Sequence, residues 1–241
     1  MRSGERHDVR WQMAAARRLL YRHGCDSGIA GHVSVRADDG ESFWISPFEF
    51  FDETMPASAV RYAFDLTLLD GASSASPAVQ FHAAIFAART DVNSVVHTHS
   101  FNAIVLSSLG RPLRMFHAAA TLFHGRQAMF RDDGVSPSVD GPLVVEALGD
   151  KRVLIAENHG IIVASDRLEH AVVEAIAFEQ QAQIDLACTA AGGHEMNPAE
   201  VLQARRDYDQ YYRAATWEAM MRRLPASDPD LFEQVTDTTW P

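Results

Sequence analysis

Ser94-Val95-Val96-His97-Thr98-His99-Ser100 is the stretch around which the rest of the chain is arranged. β-Branched residues ahead of two histidines spaced two apart read as a strand, and a strand sends alternate side chains to opposite faces. His97 and His99 therefore project from one face at the strand's end. A third histidine lies in Asn158-His159-Gly160, between the apolar runs Val153-Leu154-Ile155-Ala156 and Ile161-Ile162-Val163. Three imidazoles at strand ends, with no cysteine among them, suit a divalent-metal site that keeps an open coordination position. His-x-His alone is weak evidence in a chain with 11 histidines. The second strand end, carrying Asn-His-Gly, strengthens it.

Outward from this stretch, helices and strands alternate. Asp8 to His23 repeats apolar residues at helical spacing, and Gly24 follows as a C-terminal stop. Gly31 to Arg36 and Phe43 to Ser46 read as a hairpin about Asp38-Asp39-Gly40, with a further strand at Tyr62 to Leu66. The small-residue loop Gly71 to Pro77 leads into a helix from Val79 to Arg89. A helix from Phe101 to Leu109 follows the histidine strand. Arg114 to Arg131 has no clear period, and Asp132-Asp133-Gly134 with Pro137 marks a loop. Helices are expected over Gly141 to Leu148, Arg167 to Ala191 and Pro198 to Leu224. The pattern predicts one α/β domain over residues 1–224, with helices on both faces of a sheet, and a tail over 225–241.

Composition narrows the function. The chain has 241 residues, 47% of them hydrophobic, enough for one well-buried domain. Lys plus Arg total 21 against 32 Asp plus Glu, a formal charge of -11, which argues against nucleic-acid or anionic-membrane partners. Cys25 and Cys188 fit neither a disulfide framework nor a cysteine zinc site. Residues 1–8 lack the apolar core of a signal peptide, and no window approaches the ~20 apolar residues of a membrane span. The expectation is a soluble, cytoplasmic protein.

Taken in order, Gly31-His32-Val33-Ser34-Val35-Arg36, Ile45-Ser46-Pro47-Phe48, the block from Phe81 to Val92, His97-Thr98-His99-Ser100 and Asn158-His159-Gly160 resemble the class II aldolase/adducin family. The match covers about residues 8 to 215. The resemblance implies a three-layer α/β/α domain around a mixed, largely antiparallel sheet. It also implies a homotetramer with its sites between subunits. His97, His99 and His159 would hold the metal, zinc foremost, with iron, manganese, cobalt or nickel as alternatives. In sugar-phosphate aldolases of the family the cation chelates and polarises the substrate oxygens and stabilises the enediolate left when a carbon–carbon bond breaks.

Two departures shape the reading. The family's carboxylate, four residues before the histidine of the Phe-His block, is Ala78 here. Without that base the usual aldol mechanism loses a factor of about 10²–10⁴. The phosphate cradle is altered as well, with His32 where the family has asparagine, Glu49 near an expected glycine, and Ser76 followed by Pro77. An unphosphorylated hydroxy or oxo acid, with a carboxylate or an aromatic ring as its handle, is expected. The leading reading is a metal-dependent carbon–carbon lyase, decarboxylase or aldolase, and decarboxylation suits this combination because it needs no base to begin. His117 and His32 are the candidate catalytic groups, as proton donor or substrate contact. Ser34, Ser46, Glu49 and Ser76 hold the cradle positions and are candidates for substrate binding. His82 is expected to pack below the site, while Trp44, Phe48, Phe50 and Phe51 read as core packing. The competing readings are a non-haem iron oxygenase on the same three histidines and a non-catalytic adducin-like interaction module.

Overall fold

A computed structural model describes residues 8–72, 75–131 and 140–233. The loop expected at Asp132 to Pro137, part of the Ser73-Ser74 loop and the last eight residues lie outside the described residues.

Eight strands form one sheet in the order β4-β3-β2-β1-β5-β8-β7-β6. They are β1 (His32–Arg36), β2 (Ser42–Ile45), β3 (Val60–Ala63), β4 (Leu68–Asp70), β5 (Ser94–Thr98), β6 (Gln127–Phe130), β7 (Val153–Ala156) and β8 (Gly160–Ser165). Neighbours pair antiparallel except β6 and β7, which run parallel, so the sheet is mixed and largely antiparallel, as the resemblance implied. The β1–β2 hairpin turns through Gly40 at φ +74°, a conformation in which glycine carries no Cβ penalty.

Alternation along the central strands divides the core in two. Val33, Val96, Ile155, Ile161 and Val163 pack on the face covered by α1 (Val9–Arg22), α3 (Phe101–Ser107) and α5 (Leu168–Ala190). Val95, Leu154, Ile162 and Ala164 pack on the other, with Phe81, Ile85 and Phe86 of α2 (Val79–Ala88) and Val144 and Leu148 of α4 (Gly141–Leu148). Burial on both faces explains why these strands read as continuous apolar runs.

Three sequence expectations shift. The strand placed at Tyr62 to Leu66 ends at Ala63, because Asp65 accepts the Thr67 amide at 2.9 Å and Leu66 takes φ +70°, turning the chain back as β4. β6 was not foreseen. It is a four-residue edge strand whose Gln-Ala-Met-Phe has no alternation of polarity. The helix expected to stop at Leu224 also continues. After α6 (Pro198–Asp207) and a π-turn at Tyr208–Tyr212, α7 (Arg213–Ser227) runs through Pro225, and α8 (Asp230–Glu233) packs on α1. Fully buried Asp228 accepts from Arg18 and Arg22, and the Trp11 indole donates to the Leu231 carbonyl at 3.1 Å. These contacts tie Asp228 and Leu231 to α1. Among the described residues no helix is long and apolar enough to cross a membrane.

Candidate metal centre

The β5 register fixes the first ligand. His97 pairs with Ile162 on β8, and its Nδ1 lies 2.8 Å from the Ile161 carbonyl oxygen. A carbonyl only accepts, so Nδ1 carries the proton and Nε2 presents a bare lone pair. His99 stands one residue beyond the strand, and its backbone N–H donates to Ser27 Oγ at 2.7 Å. The chain then enters α3, where the Asn102 and Ala103 amides donate to the Glu179 carboxylate at 3.0 and 2.9 Å. A carboxylate at a helix N-terminus satisfies donors that have no partner within the helix.

His159 arrives from the β7–β8 turn, where Ala156 pairs with Gly160. Asn158 adopts φ +58°, a left-handed conformation that asparagine tolerates better than most residues. Gly160 is dictated by contact: a Cβ there would run into the Thr98 carbonyl and meet the His99 ring. The glycine thus lets the two strand ends close until their imidazoles meet.

The three Nε2 atoms lie 2.8 Å (His99–His97), 2.9 Å (His99–His159) and 3.3 Å (His97–His159) apart. Ligands about 2.0–2.1 Å from one tetrahedral ion stand roughly 3.3–3.4 Å from one another, so a small outward adjustment seats a divalent cation. Burial first, then the neighbouring imidazoles, lower the His97 basicity well below normal and bring His99 down to about 4. His97 and His99 can therefore be neutral donors near pH 7, and the group of three can hold a metal ion. His97 is 2% exposed while His99 and His159 are half-buried, and His159 borders a cavity of about 400 Å³ together with Arg131, Glu157 and Asn158.

Beneath His97 lie two further histidines. His32 faces it across the β1–β5 pair, with ring centroids 5.6 Å apart and planes inclined by 24°. The ring is 1% exposed, and neither nitrogen has a hydrogen-bond partner. His82, from α2, is fully buried, with Nδ1 2.7 Å from Ser34 Oγ. Burial, then neighbouring imidazoles, hold both well below their ordinary basicity.

The remaining candidates are more dispersed. Ser34 and Ser46 are buried: Ser34 Oγ lies 2.7 Å from His82 Nδ1, and Ser46 Oγ accepts the Val33 amide at 3.0 Å. Ser76 is nearly closed to solvent and accepts the Ala78 amide at 3.2 Å ahead of α2. Glu49 is half-buried with one oxygen unpartnered, and burial raises its carboxyl against the lowering influence of Arg17. His117 is exposed at the start of the 3-10 turn Ala118–Phe123, where Nδ1 accepts the Ala119 amide and lies 3.2 Å from the Gln181 side chain. Ala78 is buried at the start of α2.

Residues that sequence reasoning missed are those that hold the site. Ser27 holds the His99 amide, and Glu179 accepts the amides that open α3 three and four residues later. Arg17, fully buried in α1, donates to the Pro47 and Glu49 carbonyls and packs on Phe51, fixing the loop after β2. An arginine on the apolar face of a helix was the available signal for the last. Nothing local marks the other two.

Residues 11–186 match the family model for the class II aldolase and adducin N-terminal domain. The chain is 29% identical to 5-methylthioribulose-1-phosphate/5-deoxyribulose-1-phosphate aldolase of Rhodospirillum rubrum, over 83% of this chain and 90% of that protein. It is 30% identical to 3,4-dihydroxyphthalate decarboxylase of Arthrobacter keyseri (77% and 80% covered). It is 28% identical to 4-hydroxy-3-prenylphenylpyruvate oxygenase/4-hydroxy-3-prenylbenzoate synthase of Streptomyces roseochromogenus (80% and 72%). An aldolase II superfamily protein from Pseudomonas syringae superposes with a TM-score of 0.83 at 29% identity, covering 92% and 94% of the two chains. With the family model spanning most of the chain and the strand-end histidines where the fold brings them together, this protein belongs to the class II aldolase and adducin N-terminal domain family.

Proposed function

We propose that this protein is a metal-dependent carbon–carbon lyase that decarboxylates a small, unphosphorylated hydroxy or oxo acid. The observation that carries the reading is the convergence of three imidazole Nε2 atoms within 3.3 Å, in a chain with alanine at position 78. His97, His99 and His159 would hold the ion, zinc being the leading candidate. A divalent cation there supplies a Lewis acid for the oxygens of a chelating acid and offsets negative charge developing on them.

The chain's own residues decide which reaction is served. Aldol cleavage begins with removal of a hydroxyl proton, and Ala78 has no group to accept one. In decarboxylation the carbon–carbon bond to the carboxylate breaks, carbon dioxide leaves, and the electron pair left on the substrate carbon takes a proton afterward. Only a late proton donor is required. His117, acting in the site of a neighbouring copy within a tetramer, is assigned that role. His32, closed to solvent and stacked on His97, is assigned to holding the ligand ring in place. Glu49 and Ser76 border the substrate, and the carboxylate at 49 disfavours phosphate. A relative named for decarboxylating an aromatic acid supports a ring-bearing substrate.

Elemental analysis of natively purified protein, followed by a screen of 2-oxo acids and hydroxybenzoates with and without oxygen, tests the reading. Stoichiometric metal and anaerobic release of carbon dioxide are expected. Protein purified without metal would sink the lyase reading. Turnover that consumes oxygen would instead favour the iron oxygenase, a reading supported by the relative named as an oxygenase.

A further inference from the structure

At the rim of the metal centre stands one arginine that the lyase reading leaves without a role. β6 and β7 run parallel with Phe130 opposite Ala156, so the next residues, Arg131 and Glu157, leave the sheet side by side at the end that carries His159. The Glu157 amide donates to the Phe130 carbonyl at 2.9 Å, and Arg131 Nε donates to Glu157 Oε2 at 2.7 Å. Asn158 then turns the chain through its left-handed conformation, so that Arg131, Glu157, Asn158 and His159 border one cavity of about 400 Å³. The guanidinium is mostly exposed, and its carboxylate partner is largely covered.

An ion pair with one side in water contributes little to stability, so the fold does not depend on it and its partner can be exchanged. Guanidinium is also the side chain best shaped for two-point recognition of a planar carboxylate. The setting adds weight: in a chain of net charge -11 an anionic ligand meets repulsion over much of the surface, and a local cation beside the site counters it.

We infer that Arg131 is a specificity-determining residue that receives a second carboxylate, so that the site selects dicarboxylic acids over monocarboxylic ones. Glu157 is the competitor that orients the guanidinium and is displaced when such a ligand arrives. The inference rests on the metal-dependent lyase reading, since the ligand's other end must be held by a cation at His97, His99 and His159.

The test uses the full chain loaded with cobalt, with 2-oxoglutarate and 2-oxobutanoate as two- and one-carboxylate probes. Affinity is read by calorimetry and ligation by the visible cobalt spectrum. The wild-type chain is expected to prefer 2-oxoglutarate by about tenfold or more. Arg131→Met should remove that preference while leaving cobalt stoichiometry and 2-oxobutanoate affinity unchanged. Glu157→Gln should widen it. Equal affinity of the wild-type chain for both probes, or a preference that survives in Arg131→Met, would overturn the role of Arg131 while the metal reading stands. An unchanged preference in Glu157→Gln would overturn the competitor role alone. A wild-type chain that takes up no cobalt would overturn the metal reading and this inference with it.

Discussion

Five histidines cluster near the centre of the sheet, yet they form two groups of different kind. His97, His99 and His159 point their Nε2 atoms at one another across 2.8–3.3 Å, and His159 borders a cavity. His32 and His82 lie directly below, sealed from solvent, meeting each other edge to face at 5.6 Å. The upper group has a fixed tautomer at His97 and convergent lone pairs, which is the arrangement a shared ion needs. The lower group has rings that pack, and its nitrogens share no common point: His82 Nδ1 meets Ser34 Oγ while both His32 nitrogens have no hydrogen-bond partner. Residue type is the same in both, so the distinction comes from how backbone geometry aims each ring.

The sharpest way to break that contrast is His97→Ala. Bound metal, measured by elemental analysis, should be lost, and lyase activity should fall by about three orders of magnitude or more. Next comes Gly160→Ala. The added methyl has no room beside the Thr98 carbonyl and must push His159 away from His99. Metal affinity by competition with a chelator should drop by about 10–100-fold, while circular dichroism remains folded. Ser27→Ala removes the oxygen that holds the His99 amide and should weaken metal binding by about tenfold, toward the low end expected of outer contacts.

The lower group should behave differently. His32→Phe fills the same space with an apolar ring and should leave metal stoichiometry unchanged, with activity altered by less than about tenfold. Loss of metal in this variant would erase the distinction between the two groups. Asp228→Asn, on the opposite helical layer, should leave metal untouched while lowering stability in urea by about 3 kcal/mol, the cost of stripping a buried carboxylate from its arginines. Burial raises that carboxyl, but Arg22 and Ser227 outweigh it and hold it below 3.8. Its contribution should therefore be complete above that pH and be lost as the pH falls through the lower, folded value.

Much of this could be read in the chain before any coordinates. Strand alternation put His97 and His99 on one face, and Asn158-His159-Gly160 marked the second strand end. The departure at Ala78 is visible by counting back from His82. Short or edge elements escaped: β6 has no polarity pattern, and the turn at Leu66 depends on one Asp65 hydrogen bond. Pro225 looks like a helix stop, whereas α7 runs through it and Asp228 and Leu231 bury themselves against α1.

The sequence by itself determined which residues sit at strand ends and which face they share, because the two-residue period of a strand is local. It also determined that no carboxylate stands at position 78. Only the tertiary structure decided that His159 reaches His99, that Ser34 and Ser46 turn inward, and that Ser27 and Glu179 fix the strand-to-helix corner. Those outcomes depend on contacts between segments tens of residues apart, which no local pattern encodes.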